Sequence, residues 1–180
     1  MAAAAGQPPA PLRDTLDAAP AAAPCQSAPD MPIGHNNRIY VMHGVNLDQL
    51  GRRDPAHYGG LTFLQLEQAI DAFAVDLGLN ARFYQTNHEG EFVEELHRLI
   101  DLADAAIINA GAWSHYSRAI GDALQFAGVP TVEVHLSDVM AREPWRHVSV
   151  LGDGCVATVA GKGVDGYREA LAALQRELSL

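Results

Sequence analysis

Lysine is almost missing from this chain. Of twelve basic side chains, only Lys162 is a lysine, set between Gly161 and Gly163, and the other eleven are arginines. Schiff-base catalysis needs a lysine in an apolar pocket, so imine chemistry is not expected. A planar, permanently charged guanidinium instead suits carboxylate recognition. Cysteine is scarce as well. Cys25 and Cys155 lie far apart, without metal-ligand spacing, and make a poor disulfide framework, so a reducing compartment, the cytoplasm, is expected. A formal charge of -10 leaves no excess of cations for nonspecific nucleic-acid binding. No apolar run is long enough for a transmembrane span, and prolines together with Asp14 and Asp17 interrupt anything resembling a secretory signal. Neither a nucleic acid nor a membrane is an expected partner. Eight histidines are present, but none of their pairs combines ligand spacing with a third ligand, so no metal is expected.

What is present is ordinary for a globular protein: 180 residues, 48% hydrophobic and 19% charged. Residues 1–37 are dominated by Ala and Pro, contain no aromatic residue and show no periodic apolar face. They read as a disordered tail, leaving one folded domain over 38–180.

Within that domain, short apolar runs alternate with helical stripes. Strands are expected at Ile39 to Met42, Ala81 to Tyr84, Ala105 to Ile108, Thr131 to Val134 and Val156 to Val159, each bounded by Gly, Asn or Pro. Helices are expected over Thr62 to Leu77, Glu89 to Leu102, Ser114 to Ala127 and Asp165 to Leu178. Thr62 with Gln65 forms a capping box, and Gly78 supplies a left-handed stop. Strict alternation implies right-handed βαβ units: an α/β, flavodoxin-like, doubly wound sandwich with a five-stranded parallel sheet. In the flavodoxin-like order the ligand crevice opens between strands one and three, beyond Met42 and Ile108.

Polar residues cluster after these strands. The segment following strand one is a Gly- and Pro-rich loop carrying Asn46, Arg52, Arg53 and Tyr58, and it reads as a mobile lid. A tyrosine ionises near pH 10, and lowering that by roughly two units needs about 3 kcal/mol, the order of one guanidinium in a water-poor site. An arginine beside a tyrosine is therefore a credible general base. On strand four, Glu133 and His135 share one side, so the carboxylate can orient the imidazole and favour its charged form, as a general acid requires. Free N–H groups near Leu136 and Ser137 suit an anion. Asn109 ends strand three, and His115 and Asp122, seven apart, are expected on one side of the helix that follows. Arg142 and Arg146 flank Pro144, one holding the fold and the other the substrate. His88 either supports the site or merely starts a helix.

Read together, Asn46…Gly51-Arg-Arg-Asp-Pro…Tyr58-Gly, Asn87-His-Glu-Gly-Glu91, Ile108-Asn-Ala-Gly-Ala112…Ser114-His115 and Val132-Glu-Val-His-Leu-Ser137…Ala141-Arg-Glu-Pro-Trp-Arg146 resemble the type II 3-dehydroquinate dehydratases over about residues 38–178. The resemblance implies reversible loss of water from 3-dehydroquinate to give 3-dehydroshikimate, in shikimate biosynthesis or quinate breakdown, with no cofactor. It implies Tyr58 as the base, Arg53 lowering its pKa and closing over the substrate, and Asn46 holding a water that stabilises an enolate. His135, aligned by Glu133, would be the acid. Asn109, His115, Asp122, Leu136, Ser137 and Arg146 would contact substrate, with Glu89 and Arg142 in support. A dodecamer of trimers is implied, in which Asp122 reaches across an interface.

The sequence departs from that pattern at His43, Val45, Asp48 and Gln49 in the first turn, and at Asp138, Met140 and Val148. A carboxylate at Asp138 would disfavour an anionic substrate if it pointed inward. The alternative reading is a divergent paralogue acting on a related cyclic hydroxy-acid, or a noncatalytic binding subunit. Retention of Tyr58, Arg53 and His135 speaks for catalysis. Flavin binding is disfavoured because the loop after strand one has no Ser or Thr before Thr62.

Overall fold

The computed structural model describes residues 36–178. The tail expected over 1–37 lies almost wholly outside them.

Five parallel strands form one sheet in the order β2-β1-β3-β4-β5: β1 (Arg38–His43), β2 (Asn80–Gln85), β3 (Ala105–Asn109), β4 (Thr131–His135) and β5 (Ala157–Ala160). This is the expected flavodoxin-like order. The three central strands are buried on both faces except at Arg38, which is why β1 and β3 read as mainly apolar runs while the polar Glu133 and His135 of β4 are buried with it. Alternation along β1 divides the core. Ile39 and Val41 face Leu66, Ile70 and Ala74 of α2 (Phe63–Asp76) and Tyr167, Leu171 and Leu174 of α5 (Asp165–Leu178). Tyr40 and Met42 face Phe92, Leu96 and Leu99 of α3 (Glu89–Leu102) and Ile120 and Leu124 of α4 (Arg118–Ala127). Each Leu, Ile, Val, Phe or Met so buried contributes about 1.5–3 kcal/mol.

Local signals act as the sequence implies. The Thr62/Gln65 capping box opens α2, and Gly78 follows it with a φ of 71°. The loop after β1 is not structureless: a 3-10 turn (Leu47–Arg52) leads into a short helix, α1 (Pro55–Tyr58), capped by Asp54.

Two expectations change. β5 starts and ends one residue later than its apolar run, at Ala157 and Ala160. The helix expected from Ser114 is interrupted. Gly111–His115 form a 3-10 turn, Tyr116 leaves the helical path, and α4 begins only at Arg118, where the Ser117 hydroxyl accepts the Ile120 N–H. That competing cap breaks the run, because a serine side chain satisfies a helix-start donor better than it continues a helix.

The strand ends that hold the site meet closely. The Gly44 N–H bonds the Asn109 carbonyl at 2.8 Å, and a Cβ on Gly44 would lie 2.5 Å from the Ala110 carbonyl oxygen. Only glycine admits that approach of β1 to β3.

Candidate active site

At the carboxyl ends of β1, β3 and β4 a pocket is lined by Val45, Asn46, Leu47, Arg53, Tyr58, Asn109, Gly111, Ala112, His115, His135, Leu136, Ser137, Val139, Arg142 and Arg146. Three arginines border it and no carboxylate does, so it suits an anion.

Tyr58 ends α1 and is gripped by two guanidinium groups. Arg53 stacks over its ring, 4.0 Å from the centroid. The phenol oxygen is met by the other: Arg142 Nη1 donates to it at 2.9 Å and to Ser137 Oγ at 3.2 Å. Sequence reasoning assigned the base's partner to Arg53 and left Arg142 in support. Arg53 packs its guanidinium on the face of the ring, whereas the turn Val139–Ala141 leads Arg142 to the phenol oxygen. Pro144 begins a second turn, Pro144–Arg146, so both Arg142 and Arg146 enter the site without sharing a helix face.

His135 ends β4, and its Nε2 lies 3.0 Å from Glu133 Oε1. A carboxylate accepts, so Nε2 carries hydrogen toward Glu133 and Nδ1 is the atom left for the pocket. Glu133 is completely buried. Burial pushes its carboxyl up, but the hydrogen bond and charge of His135, with smaller contributions from the Ser114 and Ser149 hydroxyls, outweigh burial and hold it below the ordinary carboxylate range. The His115 ring stacks on that of His135, centroids 5.6 Å apart and planes 16° from parallel. His115 Nδ1 donates to the Val148 carbonyl at 2.9 Å, which leaves Nε2 as its second polar atom. Burial lowers the His115 pKa, with the Val148 contact opposing it and the His135 and Arg146 charges adding to it. Trp145 stands edge-on to His115 at 5.4 Å, and the Arg146 guanidinium lies 3.9 Å over the Trp145 ring while its Nε donates to Glu143 at 2.7 Å.

Asn46 adopts a left-handed φ of 64°, and its N–H donates to Asn87 Oδ1 at 2.7 Å. Asn109 donates through Nδ2 to the buried Tyr167 hydroxyl at 3.0 Å and accepts from Gly111 N–H. Its orientation is set from α5, far away in sequence.

Two nominated residues stay apart. Asp122 is exposed on α4, not beside His115, because the helix joining them in the sequence reading is interrupted at Tyr116. Glu89 accepts from the Tyr116 hydroxyl at 3.3 Å, outside the pocket lining. Asp138 also turns away: it caps the turn after β4 by accepting the Met140 N–H at 2.9 Å. His88 precedes α3 without a side-chain cap. Ser149, Trp145 and the backbone of Val148 were not singled out by the sequence. A Ser or a carbonyl in a loop gives no periodic or spacing signal.

Among the described residues, no helix is long and apolar enough to cross a membrane, and no three His, Cys, Asp or Glu side chains gather as a metal would need.

Comparison with known proteins converges on one family. The sequence model of the class II dehydroquinases matches residues 37–175. The 3-dehydroquinate dehydratase of Leptothrix cholodnii is 47% identical over 130 residues, 72% of this chain and 87% of that protein. The enzyme of Pelobacter propionicus is 46% identical over 143 residues, 79% of this chain and 96% of that one. The crystal structure of the type II dehydroquinase from Propionibacterium acnes superposes with a TM-score of 0.75 at 39% identity, covering 79% of this chain and 98% of the other.

Proposed function

The chain belongs to the class II dehydroquinases, and from that premise we propose how its own side chains remove water from 3-dehydroquinate. The activity is that of a type II 3-dehydroquinate dehydratase, a hydro-lyase. Residues 38–180 form its catalytic domain.

In our reading Tyr58, as phenolate, takes the proton from the carbon next to the ketone. The electron pair moves onto the ketone oxygen, giving an enolate, and Asn46 holds a water against that oxygen. The enolate then collapses: the carbonyl re-forms, the new C=C bond forms, and the C–O bond to the hydroxyl breaks. His135 delivers a proton to the departing oxygen, which leaves as water. Tyr58 returns its proton to solvent and His135 regains one. Arg142 at the phenol oxygen stabilises the phenolate that starts the cycle, and Arg53 over the ring adds charge and closes the site. Asn109, His115, Leu136, Ser137 and Arg146 hold the hydroxyls and carboxylate, while Glu133 orients His135.

The observation that carries this reading is the opposition of Tyr58, backed by Arg142, to His135, backed by Glu133, within one arginine-rimmed pocket. Asp122 is exposed on α4, which supports its acting on a neighbouring subunit's pocket in a dodecamer of trimers. The protein works in the cytoplasm, a reading supported by a sequence whose two cysteines, far apart, make a poor disulfide framework.

The test is ultraviolet absorbance of the conjugated enone product on mixing the protein with 3-dehydroquinate in chelator, repeated with protein that has first been treated with borohydride in the presence of substrate and then freed of both. A signal that neither treatment alters is expected. Tyr58→Phe should lower kcat by about 10²–10⁴ with substrate affinity retained, and His135→Ala should be comparably severe. Rates like the wild type in either variant would overturn these roles.

A further inference from the structure

The segment between the Pro144–Arg146 turn and the Gly152–Gly154 turn that precedes β5 touches the supports of both imidazoles. The Val148 carbonyl accepts from His115 Nδ1 at 2.9 Å. Next along the chain, Ser149 Oγ lies 2.9 and 2.8 Å from the two carboxylate oxygens of Glu133. The Val150 N–H then bonds the Ser114 carbonyl at 2.8 Å, tying the segment to the turn that carries His115. One short loop thus sets two rings that stack on each other.

The Ser149 hydroxyl has little freedom. Its oxygen accepts the Leu151 N–H at 3.1 Å, so its hydrogen is left to point at the carboxylate, shared between the two oxygens. Glu133 needs such donors. A carboxylate with no exposure is costly unless its oxygens are paired; its hydrogen-bond partners are His135 Nε2, Ser149 Oγ and, at 3.4 Å, Thr158 Oγ1, while the buried Ser114 hydroxyl stands beside it outside hydrogen-bond geometry. Of these only Ser149 reaches both oxygens.

We propose that Ser149 is a positioning residue for the general acid: by holding Glu133 ionised and in one orientation, it fixes His135 with Nδ1 toward the substrate. Without that hydroxyl, Glu133 would take up a proton more readily and its grip on His135 would loosen. The titratable and charged groups facing Glu133 are His135 on the same strand, His115 from the turn after β3 and Cys155 from the turn before β5, with Arg146 acting on His115. None of them supplies a hydroxyl in place of the lost donor, and the Ser114 hydroxyl beside Glu133 lies outside hydrogen-bond geometry. Ser149 itself does not line the pocket, so its loss should spare binding.

The inference rests on the dehydratase reading, and wild-type turnover of 3-dehydroquinate tests that reading separately. With active wild type, Ser149→Ala should lower kcat about tenfold or more with KM within twofold, and the acid limb of its pH profile should move to higher pH. Ser149→Thr, which keeps the hydroxyl, should recover most of the rate and the limb. If Ser149→Ala does not fold, Ser149→Cys, of similar size but a weaker donor, should show the same changes in smaller degree. A folded Ala or Cys variant with wild-type kcat and pH profile overturns the proposal. So does a loss that Thr shares in full with no movement of the limb. A readout free of turnover is the imidazole N–H resonance of His135 by NMR: hydrogen-bonded in wild type and Ser149→Thr, shifted or lost to exchange in Ser149→Ala, and unchanged in all three if the proposal is wrong.

Discussion

Arg142 donates to the Tyr58 hydroxyl at 2.9 Å from a position 84 residues further along the chain. The same nitrogen reaches Ser137 Oγ, so one guanidinium joins the lid tyrosine to the turn after β4. A lysine has one point charge on a flexible stem and cannot reproduce the planar fork. Arg142→Ala is therefore expected to reduce kcat by about 10²-fold, of the order of one charge-assisted hydrogen bond to a reacting oxygen, and Arg142→Lys should recover only part of it. Steady-state kinetics check this, and full activity in Arg142→Ala would remove it from the base's activation.

His43 is a second testable point. It has no exposure, neither ring nitrogen has a partner, and its ring sits edge-on to Phe63 and Tyr167. Burial lowers its pKa from 6.5 to about 3. Below pH 6.5 the unfolded chain binds a proton that the folded one refuses, so stability falls as pH drops from about 6.5 toward 3. The expected loss is about 2 kcal/mol between pH 7 and pH 5. Urea unfolding at the two pH values measures it, and His43→Leu should show a much smaller difference. An equal pH dependence in that variant would mean that other groups carry the effect.

Cys155 should be a poor nucleophile. Burial, reinforced by the Glu133 charge, pushes its thiol up to about 12, so almost no thiolate exists at pH 8. Iodoacetamide should leave the Cys155 peptide largely unmodified in the native protein and label it rapidly in urea, as read by peptide mass spectrometry. Equal labelling rates would contradict the environment described.

Gly44→Ala probes the strand junction under the site. The added methyl would meet the backbone of Ala110 at 2.5 Å, where no side chain can yield. Overpacking of this kind costs about 1–3 kcal/mol, and separating β1 from β3 moves Asn46 relative to Asn109. A lower Tm together with a raised KM is expected. An unchanged KM at reduced stability would show that the two asparagines move together.

Much of this was legible in the residues. Apolar runs bounded by Gly, Asn and Pro marked five strands because a parallel sheet is buried on both faces. The Thr62/Gln65 box and Gly78 marked the ends of α2 because helix ends must satisfy orphan backbone groups locally. The motif residues Asn46, Tyr58, Asn109, His115 and His135 were legible too, and all five line one pocket. Local chemistry has local signatures.

Other features had none. Ser117 resembled an ordinary helical residue until its hydroxyl capped α4 and sent His115 and Asp122 to different surroundings. Arg53, expected beside Tyr58, does pack on its ring, but nothing in the sequence signalled that Arg142 meets the phenol oxygen. Ser149 was invisible until a buried carboxylate stood beside it. The sequence by itself determined the alternation of strands and helices, their caps and the set of reactive groups, since these follow from periodicity and backbone hydrogen bonding. Only the tertiary structure decided which charge meets which atom: a guanidinium or a hydroxyl interacts over a few ångströms in space, and chain separation says nothing about that distance.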